Sequence, residues 1–106
     1  MRGELTIPQS ADIGALTAAH FEPLLRDEFR LRTPSSELAL ELGEVRRLGQ
    51  TLREGGAFSL LFVSPPGPFL PQAIYPLTHT SLGTLEIFLV PIGPIGGRNG
   101  YEAVFT

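Results

Sequence analysis

The two histidines of this 106-residue sequence, His20 and His79, are the first candidates for chemistry. Histidines that share a metal ion often follow a short spacing such as His-x-His or His-x-x-x-His, which this pair lacks. The chain also contains no cysteine, so it offers no thiolate ligand. We therefore predict that the protein binds no metal ion and no other cofactor.

His79 lies close in sequence to Ser81 and Glu86, and these residue types occur together in enzymes that use a serine nucleophile. Such a serine lies in a strained turn, for which Gly-x-Ser-x-Gly is a typical sequence, and no serine of this chain has those neighbours. A turn serine more often forms a hydrogen bond with nearby backbone, which is our interpretation of Ser81. We predict that the protein is not an enzyme.

Two pairs of carboxylates, Glu41 with Glu44 and Glu86 with Glu102, are the remaining candidates for acid–base chemistry. Carboxylates on the wet face of a strand commonly pair with cationic side chains of a neighbouring strand. We interpret these glutamates in that way, with three arginines as candidate partners: Arg30, Arg32 and Arg46.

Composition excludes several further classes of protein. All eight basic residues are arginine, so Schiff-base chemistry and a P-loop lysine are not available. The glycines of residues 93–100 match no Rossmann pattern, and no helix follows them to bind a phosphate. The net charge of −3 argues against binding to a nucleic-acid backbone.

The length and hydropathy pattern predict one domain. We assign residues 1–15 to an N-terminal arm and residues 16–106 to a single β domain. No stretch has the roughly 20 apolar residues that a membrane span needs. The N-terminus lacks the pattern of a signal peptide, so we expect a cytoplasmic protein, or one carried in an extracellular assembly.

A strand over residues 85–90 organises the predicted fold. Leu85, Ile87 and Leu89 alternate with Glu86, Phe88 and Val90, and this period of two favours a strand. Both faces of this strand are largely apolar, so the second face must be covered by another layer of this chain or by another chain. Pro91 donates no ladder hydrogen bond, so we expect pairing to weaken or stop there. Residues 92–100 then form an irregular reversal before a closing strand over residues 101–106.

Further short segments complete an all-β, mainly antiparallel fold, a small barrel or sandwich of about six strands. Residues 16–25 form one short helix with Thr17 as N-cap and with Phe21, Leu24 and Leu25 packed on the sheet. Residues 28–32, with a charged outer face, form an edge strand, and Pro76 marks an edge or bulge in a strand over residues 73–79.

Residues 37–52 fit two structures. Leu38, Leu40 and Leu42 alternate as in a strand, whereas Leu38, Leu42, Val45, Leu48 and Leu52 fit one face of a helix. Because the rest of the domain favours β structure, we predict a strand through about Arg47 and keep the helix as the alternative.

Residues 21–106 resemble an uncharacterised bacterial family that is described only as a domain of unknown function. The resemblance implies an all-β fold, no established catalytic residue, and an association with genes for phage-tail-collar-type fibre proteins. It lies in these segments: Phe21-Glu22-Pro23-Leu24-Leu25, Phe29-Arg30-Leu31, Leu40-Glu41-Leu42, Glu44-Val45, Phe58-Ser59-Leu60-Leu61-Phe62, Leu70-Pro71-Gln72, Ile74-Tyr75, Leu82-Gly83, residues 85–94 and Tyr101-Glu102-Ala103-Val104-Phe105.

Apolar residues without an evident place in the core suggest an interface. The candidate interface residues are those of the second strand faces and of the segment after a rigid proline-rich loop: Leu61, Val63, Phe69, Leu70, Phe88 and Val90. We predict a non-enzymatic structural or interaction module that binds a protein partner or itself, with a phage-tail-like or fibre apparatus as its setting. The alternatives are a small-ligand-binding β-barrel, with a ligand that the sequence does not identify, and a hydrolase-like enzyme.

Overall fold

A computed structural model describes residues 13–49, 56–67 and 69–106. The helix α1 (Ala18–Phe21) lies between two 3-10 turns, Ile13–Ala15 and Glu22–Leu24. Six strands follow: β1 (Glu28–Thr33), β2 (Ser36–Gly49), β3 (Ala57–Val63), β4 (Ala73–His79), β5 (Gly83–Ile95) and β6 (Arg98–Phe105). Residues 1–12 of the predicted arm lie outside the described residues.

The strands form one closed antiparallel barrel in the order β1-β2-β3-β6-β5-β4, and β4 pairs with β1. This confirms the predicted fold class, an all-β and mainly antiparallel domain of about six strands with one short N-terminal helix, and the structure adopts the barrel of the two predicted forms, barrel or sandwich. The prediction that β1 is an edge strand was wrong, because closure gives it a partner on each side: β2 and β4. Its charged outer face reflects contact with water and not a free edge.

The seam between β1 and β4 is short. Only two residue pairs form it, Arg30 with Thr78 and Leu31 with Leu77, whereas β4 pairs with β5 along its full length. The ladder to β1 therefore ends one residue before Pro76, which has no backbone N–H to donate. The edge predicted at Pro76 is present on this side of β4 only, because the same proline pairs with Glu86 on the other side.

Residues 36–49 form a strand, so the helical alternative for residues 37–52 was wrong over this range. Leu40 and Leu42 are fully buried, and β2 pairs with β1 and β3. A bulge between Leu42 and Glu44 then shifts the register by one residue and directs Val45 toward the core.

The β5–β6 hairpin is longer than the sequence predicts. Pairing continues beyond Pro91 to Ile95 opposite Arg98, with a bulge between Pro91 and Gly93. Both turn glycines, at positions 96 and 97, have positive φ, as a two-residue hairpin turn requires. Pairing therefore weakens at Pro91, as one of the two expected outcomes, and does not stop there. Because β4 reaches only Leu89, the rest of β5 is an edge, where proline is tolerated.

Aromatic rings fill one end of the barrel. Phe58 stacks on Phe105 with ring centroids 4.6 Å apart, and Phe29 meets Phe62 edge-on at 5.2 Å. Phe21 of α1 lies within 6.4 Å of three of these rings, so the helix closes this end by burying a single large side chain. Leu25, which was predicted to pack beside Phe21, is exposed because the chain turns away at Arg26 with φ of 75°.

The proline-rich loop closes the barrel beside Tyr101. The buried Tyr101 hydroxyl accepts the backbone N–H of Leu70 at 2.9 Å, and the Tyr75 hydroxyl donates to the Pro71 carbonyl at 2.6 Å. Leu70 joins the core, so its predicted place in an exposed interface was wrong. Its neighbour Phe69 is 64% exposed, as expected for that loop.

Candidate functional site

His79, at the end of β4, has the most specific polar surroundings of the described residues. Its side chain is 4% exposed, and its ring centroid lies 4.8 Å from that of Phe29. Nε2 lies 2.8 Å from Oδ2 of Asp27, while Nδ1 accepts the backbone N–H of Ser81 at 2.9 Å. An open cavity of about 520 Å³ adjoins this pair, lined by Asp27, Glu28, Arg30, Thr78, His79 and Thr80.

These hydrogen bonds leave His79 without a free lone pair. Because Nδ1 accepts an N–H, it carries no proton, so the proton lies on Nε2 and is donated to Asp27. A general base needs an unoccupied ring nitrogen within reach of the proton that it removes. The geometry therefore gives His79 a structural role: it ties the β4–β5 turn to the residue that precedes β1. Ser81 lies in the β4–β5 turn and contributes its backbone N–H to this arrangement, while the hydrogen bond expected from its hydroxyl to nearby backbone stays a prediction.

His20 also has a local structural role. Its Nδ1 accepts the backbone N–H of Thr17 at 2.9 Å, which satisfies one donor at the start of α1. The two histidines therefore stabilise different parts of the fold: His20 the start of α1 and His79 the β4–β5 turn. Within residues 13–49, 56–67 and 69–106, no group of three or more His, Cys, Asp or Glu side chains has the arrangement to hold a metal ion.

The outer face around β1 and β2 carries a network of ion pairs. Arg47 contacts both carboxylate oxygens of Glu22, at 2.8 and 2.9 Å, and these hydrogen bonds lower the pKa of Glu22. Hydrogen bonds from Arg32 and Arg30 lower the pKa of Glu37 in the same way. The remaining pairs are Arg30–Glu28, Arg46–Glu44, Arg26–Glu41 and Arg98–Glu41. Every arginine in the described part of the chain therefore has a glutamate partner.

The two predicted carboxylate pairs have different surroundings. Glu41 and Glu44 lie in this network and bind arginines, as expected for solvated strand faces. Glu86 and Glu102 are not brought together, since Glu102 pairs in register with Val90, four residues beyond Glu86. Neither of them forms an ion pair with any residue that the structure describes.

The outer face of β4, β5 and β6 carries large exposed apolar side chains. Ile74, Phe88 and Val104 are 63%, 49% and 53% exposed, and Ile74 lies opposite Phe88 in the β4–β5 ladder. Val104 lies two residues beyond Glu102, which pairs with Val90, so the register places it level with Phe88. We call these three side chains the apolar row. They lie side by side on three adjacent strands.

The predicted interface residues separate into three groups. Phe88 and Phe69 are exposed, Leu61 and Val90 are half-buried, and Val63 and Leu70 are buried within the chain. Leu70 belongs to the core, as described above, so it is not available at the surface.

Val63 is buried on a strand that pairs with β6 of the β5–β6 hairpin. It lies between Glu41 and Gly100 in the ladders, and Arg98 spans the same strands to reach Glu41 at 3.2 Å. Arg98 also donates to the Ser64 carbonyl, while the Ser64 N–H donates to the Asn99 carbonyl. The sequence analysis did not predict these contacts, because it treated residues 92–100 as an irregular reversal.

Sequence reasoning also missed two members of the apolar row, Ile74 and Val104. The available signal was strand alternation. Because Tyr101, Ala103 and Phe105 point inward, Val104 must point outward, and the same logic applies to Ile74 beside Tyr75.

Comparison with known families assigns the chain. The family model described as Domain of unknown function (DUF6916) matches residues 16–105. The chain belongs to this family. The DUF6916 match begins just before α1 and ends with β6, so it covers the whole described barrel. No curated protein and no solved structure shows significant similarity to the chain. Among the described residues, no helix has the length and apolar character to cross a membrane.

Proposed function

We propose that this DUF6916 domain is a non-enzymatic protein-interaction module that docks a partner through the apolar row. The observation that carries the proposal is the exposure of Ile74, Phe88 and Val104, each about half exposed or more, on adjacent strands. An adjacent set of large exposed apolar side chains is costly in water and commonly marks an interface. Val90, half-buried beside Phe88, extends this surface along β5.

The two halves of the barrel surface differ in a way that supports this proposal. The β1–β2 half carries several arginine–glutamate pairs, which are well solvated and need no further partner, with Leu48 as an exposed apolar residue on β2. The β4–β6 half exposes aliphatic and aromatic groups instead. Docking through the second half buries apolar area without desolvating the ion pairs.

The inside of the barrel favours this function over ligand storage. Large side chains that are fully buried occupy the interior, including Tyr101, Phe58, Phe62 and Leu60. A small barrel of this kind is normally filled by its own residues. The His79–Asp27 pair does not favour a catalytic function either, because both ring nitrogens of His79 already form hydrogen bonds with protein groups.

The proposal extends to the setting of the interaction. The resemblance stated from the sequence implies an association with phage-tail-collar-type fibre genes, so we include a phage-tail-like or fibre apparatus as the source of the partner. A cytoplasmic protein, or one carried in an extracellular assembly, is consistent with this part of the proposal. It rests on the resemblance alone.

Photo-cross-linking in the native host tests the proposal. Replacing Phe88 with p-benzoylphenylalanine places a reactive group in the apolar row, and the same replacement at Leu48 provides a matched control. Leu48 is 48% exposed, nearly the same as Phe88, and lies on β2. We expect a discrete cross-linked protein from position 88 and none from position 48. Identical products from both positions, or no product from position 88, would overturn the proposal.

A further inference from the structure

Two carboxylates lie on opposite sides of the apolar row. Glu86 precedes Phe88 by two residues on β5, and Glu102 precedes Val104 by two residues on β6. Because β5 and β6 are antiparallel, Glu86 lies on one side of the apolar row and Glu102 lies on the other. Glu102 is level with Val90, so four residues of strand separate the levels of the two carboxylates, or about 14 Å.

Both carboxylates lack a cationic partner within the described part of the chain. The arginines at positions 26, 30, 32, 46, 47 and 98 each pair with some other glutamate. Glu86 is exposed and Glu102 is half-buried, so a docked partner would displace water from at least one of them. A carboxylate that loses its water on binding and gains no cation weakens the complex.

This charge pattern disfavours a second copy as the occupant. In a two-fold dimer the same patch faces itself, so both faces contribute glutamates and apolar groups. Arg98 is the one arginine on β4, β5 or β6, and it already binds Glu41. Such a dimer would therefore dock four carboxylates on a surface that supplies no free cation.

We propose that the partner presents an apolar side chain between two cationic ones. This inference rests on the proposed function and specifies the chemistry of its partner. In an extended segment alongside β5, residues i and i+4 point to the same side and lie about 14 Å apart. Arginine or lysine at those positions reaches Glu86 and Glu102, while an apolar residue at i+2 covers Phe88.

A peptide titration tests this inference. The probe is a synthetic peptide with the repeat arginine–threonine–valine–threonine, and the matched peptide has glutamate in place of arginine. Each is added to the isotopically labelled full chain at about 0.15 M salt, where charges about 8 Å apart still interact. We expect the arginine peptide to shift the amide signals of β4, β5 and β6 and to bind at least about tenfold more tightly than the glutamate peptide.

Two pairs of variants separate charge from apolar contact. Replacing Glu86 and Glu102 with glutamine should lower the affinity for the arginine peptide by about five- to tenfold. The same change at Glu22 and Glu28, which lie outside β4, β5 and β6, alters net charge equally and should leave affinity within about twofold. Phe88→Ser should weaken binding by about thirtyfold.

Leu48→Ser is the matched apolar control and should have no effect on binding. Circular dichroism checks that each variant is folded.

The outcomes distinguish this inference from the proposed function. Equal binding of both peptides, lost in Phe88→Ser, would leave the interaction surface standing and overturn the cationic partner. If light scattering shows a dimer that Phe88→Ser dissociates, the interaction surface also stands and the cationic partner is overturned, because a second copy is then the occupant. Nuclear Overhauser contacts from residues 1–12 to the Phe88 ring would overturn the inference, because the chain would then cover its own patch. If neither peptide shifts β4–β6, the inference is overturned, and cross-linking at position 88 decides the proposed function separately.

Discussion

The structural role of His79 leads to a prediction that distinguishes it from a catalytic base. His79→Phe keeps a ring against Phe29 but removes both hydrogen bonds, to Asp27 and to the Ser81 N–H. The bond to the Ser81 N–H contributes about 1 kcal/mol. The bond to Asp27 is charge-assisted, but Asp27 is 47% exposed and water replaces part of it, so we assign it about 1 kcal/mol as well.

The sum predicts that His79→Phe lowers the free energy of unfolding by about 2 kcal/mol. For a domain of this size, that corresponds to a decrease in Tm of about 8–16 °C. Urea denaturation at neutral pH, followed by circular dichroism, measures the change directly.

Two conservative variants test each hydrogen bond separately. The Oδ1 atom of His79→Asn takes the place of Nδ1 and retains the Ser81 bond, whereas the amide nitrogen of His79→Gln takes the place of Nε2 and retains the Asp27 bond. We expect each to lose about half of the effect of His79→Phe. Nitrogen NMR of the imidazole in the unmodified protein should show the proton on Nε2. A proton on Nδ1, or unchanged stability in His79→Phe, would refute the structural role.

Two further predictions concern stability. Tyr101→Phe removes the hydroxyl that accepts the Leu70 N–H and leaves a buried donor unsatisfied, so we expect a loss of about 1–3 kcal/mol in urea denaturation; no loss would contradict the role of this bond. Glu22, whose pKa is lowered by hydrogen bonds from Arg47, should contribute stability above the unfolded-state pKa and lose it as pH falls through the folded-state pKa. Glu22→Gln should therefore be less stable than the unmodified protein at neutral pH and equally stable at strongly acidic pH. A difference that persists in acid would contradict the assignment.

Each of these experiments has a matched control. Tyr75→Phe removes a donor to the Pro71 carbonyl, which lies on an exposed residue and gains water instead, so its cost should be smaller than that of Tyr101→Phe. For Glu22→Gln, the control is Glu86→Gln, since Glu86 has no ion pair among the described residues. That variant should show no loss of stability attributable to a broken ion pair at any pH.

Local sequence patterns were sufficient to predict the strands. They did not predict the bulges. The inward positions of Leu85, Ile87 and Leu89 follow from alternation alone, and all three are buried. In β2, the bulge at residue 43 separates two inward residues, Leu42 and Val45, by three positions. That spacing is typical of a helix, which explains why residues 37–52 fitted both structures.

Closure of the barrel was outside the reach of local patterns. The sequence indicates a charged face for β1, but only the pairing of Leu31 with Leu77 shows that β1 is not an edge. The same limit applies to Pro91, whose tolerance depends on where β4 ends. These facts depend on contacts between distant segments.

The candidate site was predictable in part, for the same reason. Phe88 was identified from alternation in its own strand, and its exposure agrees with that reasoning. The contact between His79 and Asp27 joins residues on separate segments, so neither residue indicates the other in sequence. Leu70 was misplaced because its partner, the Tyr101 hydroxyl, lies on the last strand.

The central claim is that the apolar row is a docking surface, and photo-cross-linking along the whole row tests it most directly. p-Benzoylphenylalanine is placed in turn at Ile74, Phe88 and Val104, with Leu48 as the control. The account predicts that the three row positions cross-link to the same protein, identified by mass spectrometry, and that position 48 does not. Unrelated products from the three row positions, or the same product from position 48, would contradict it.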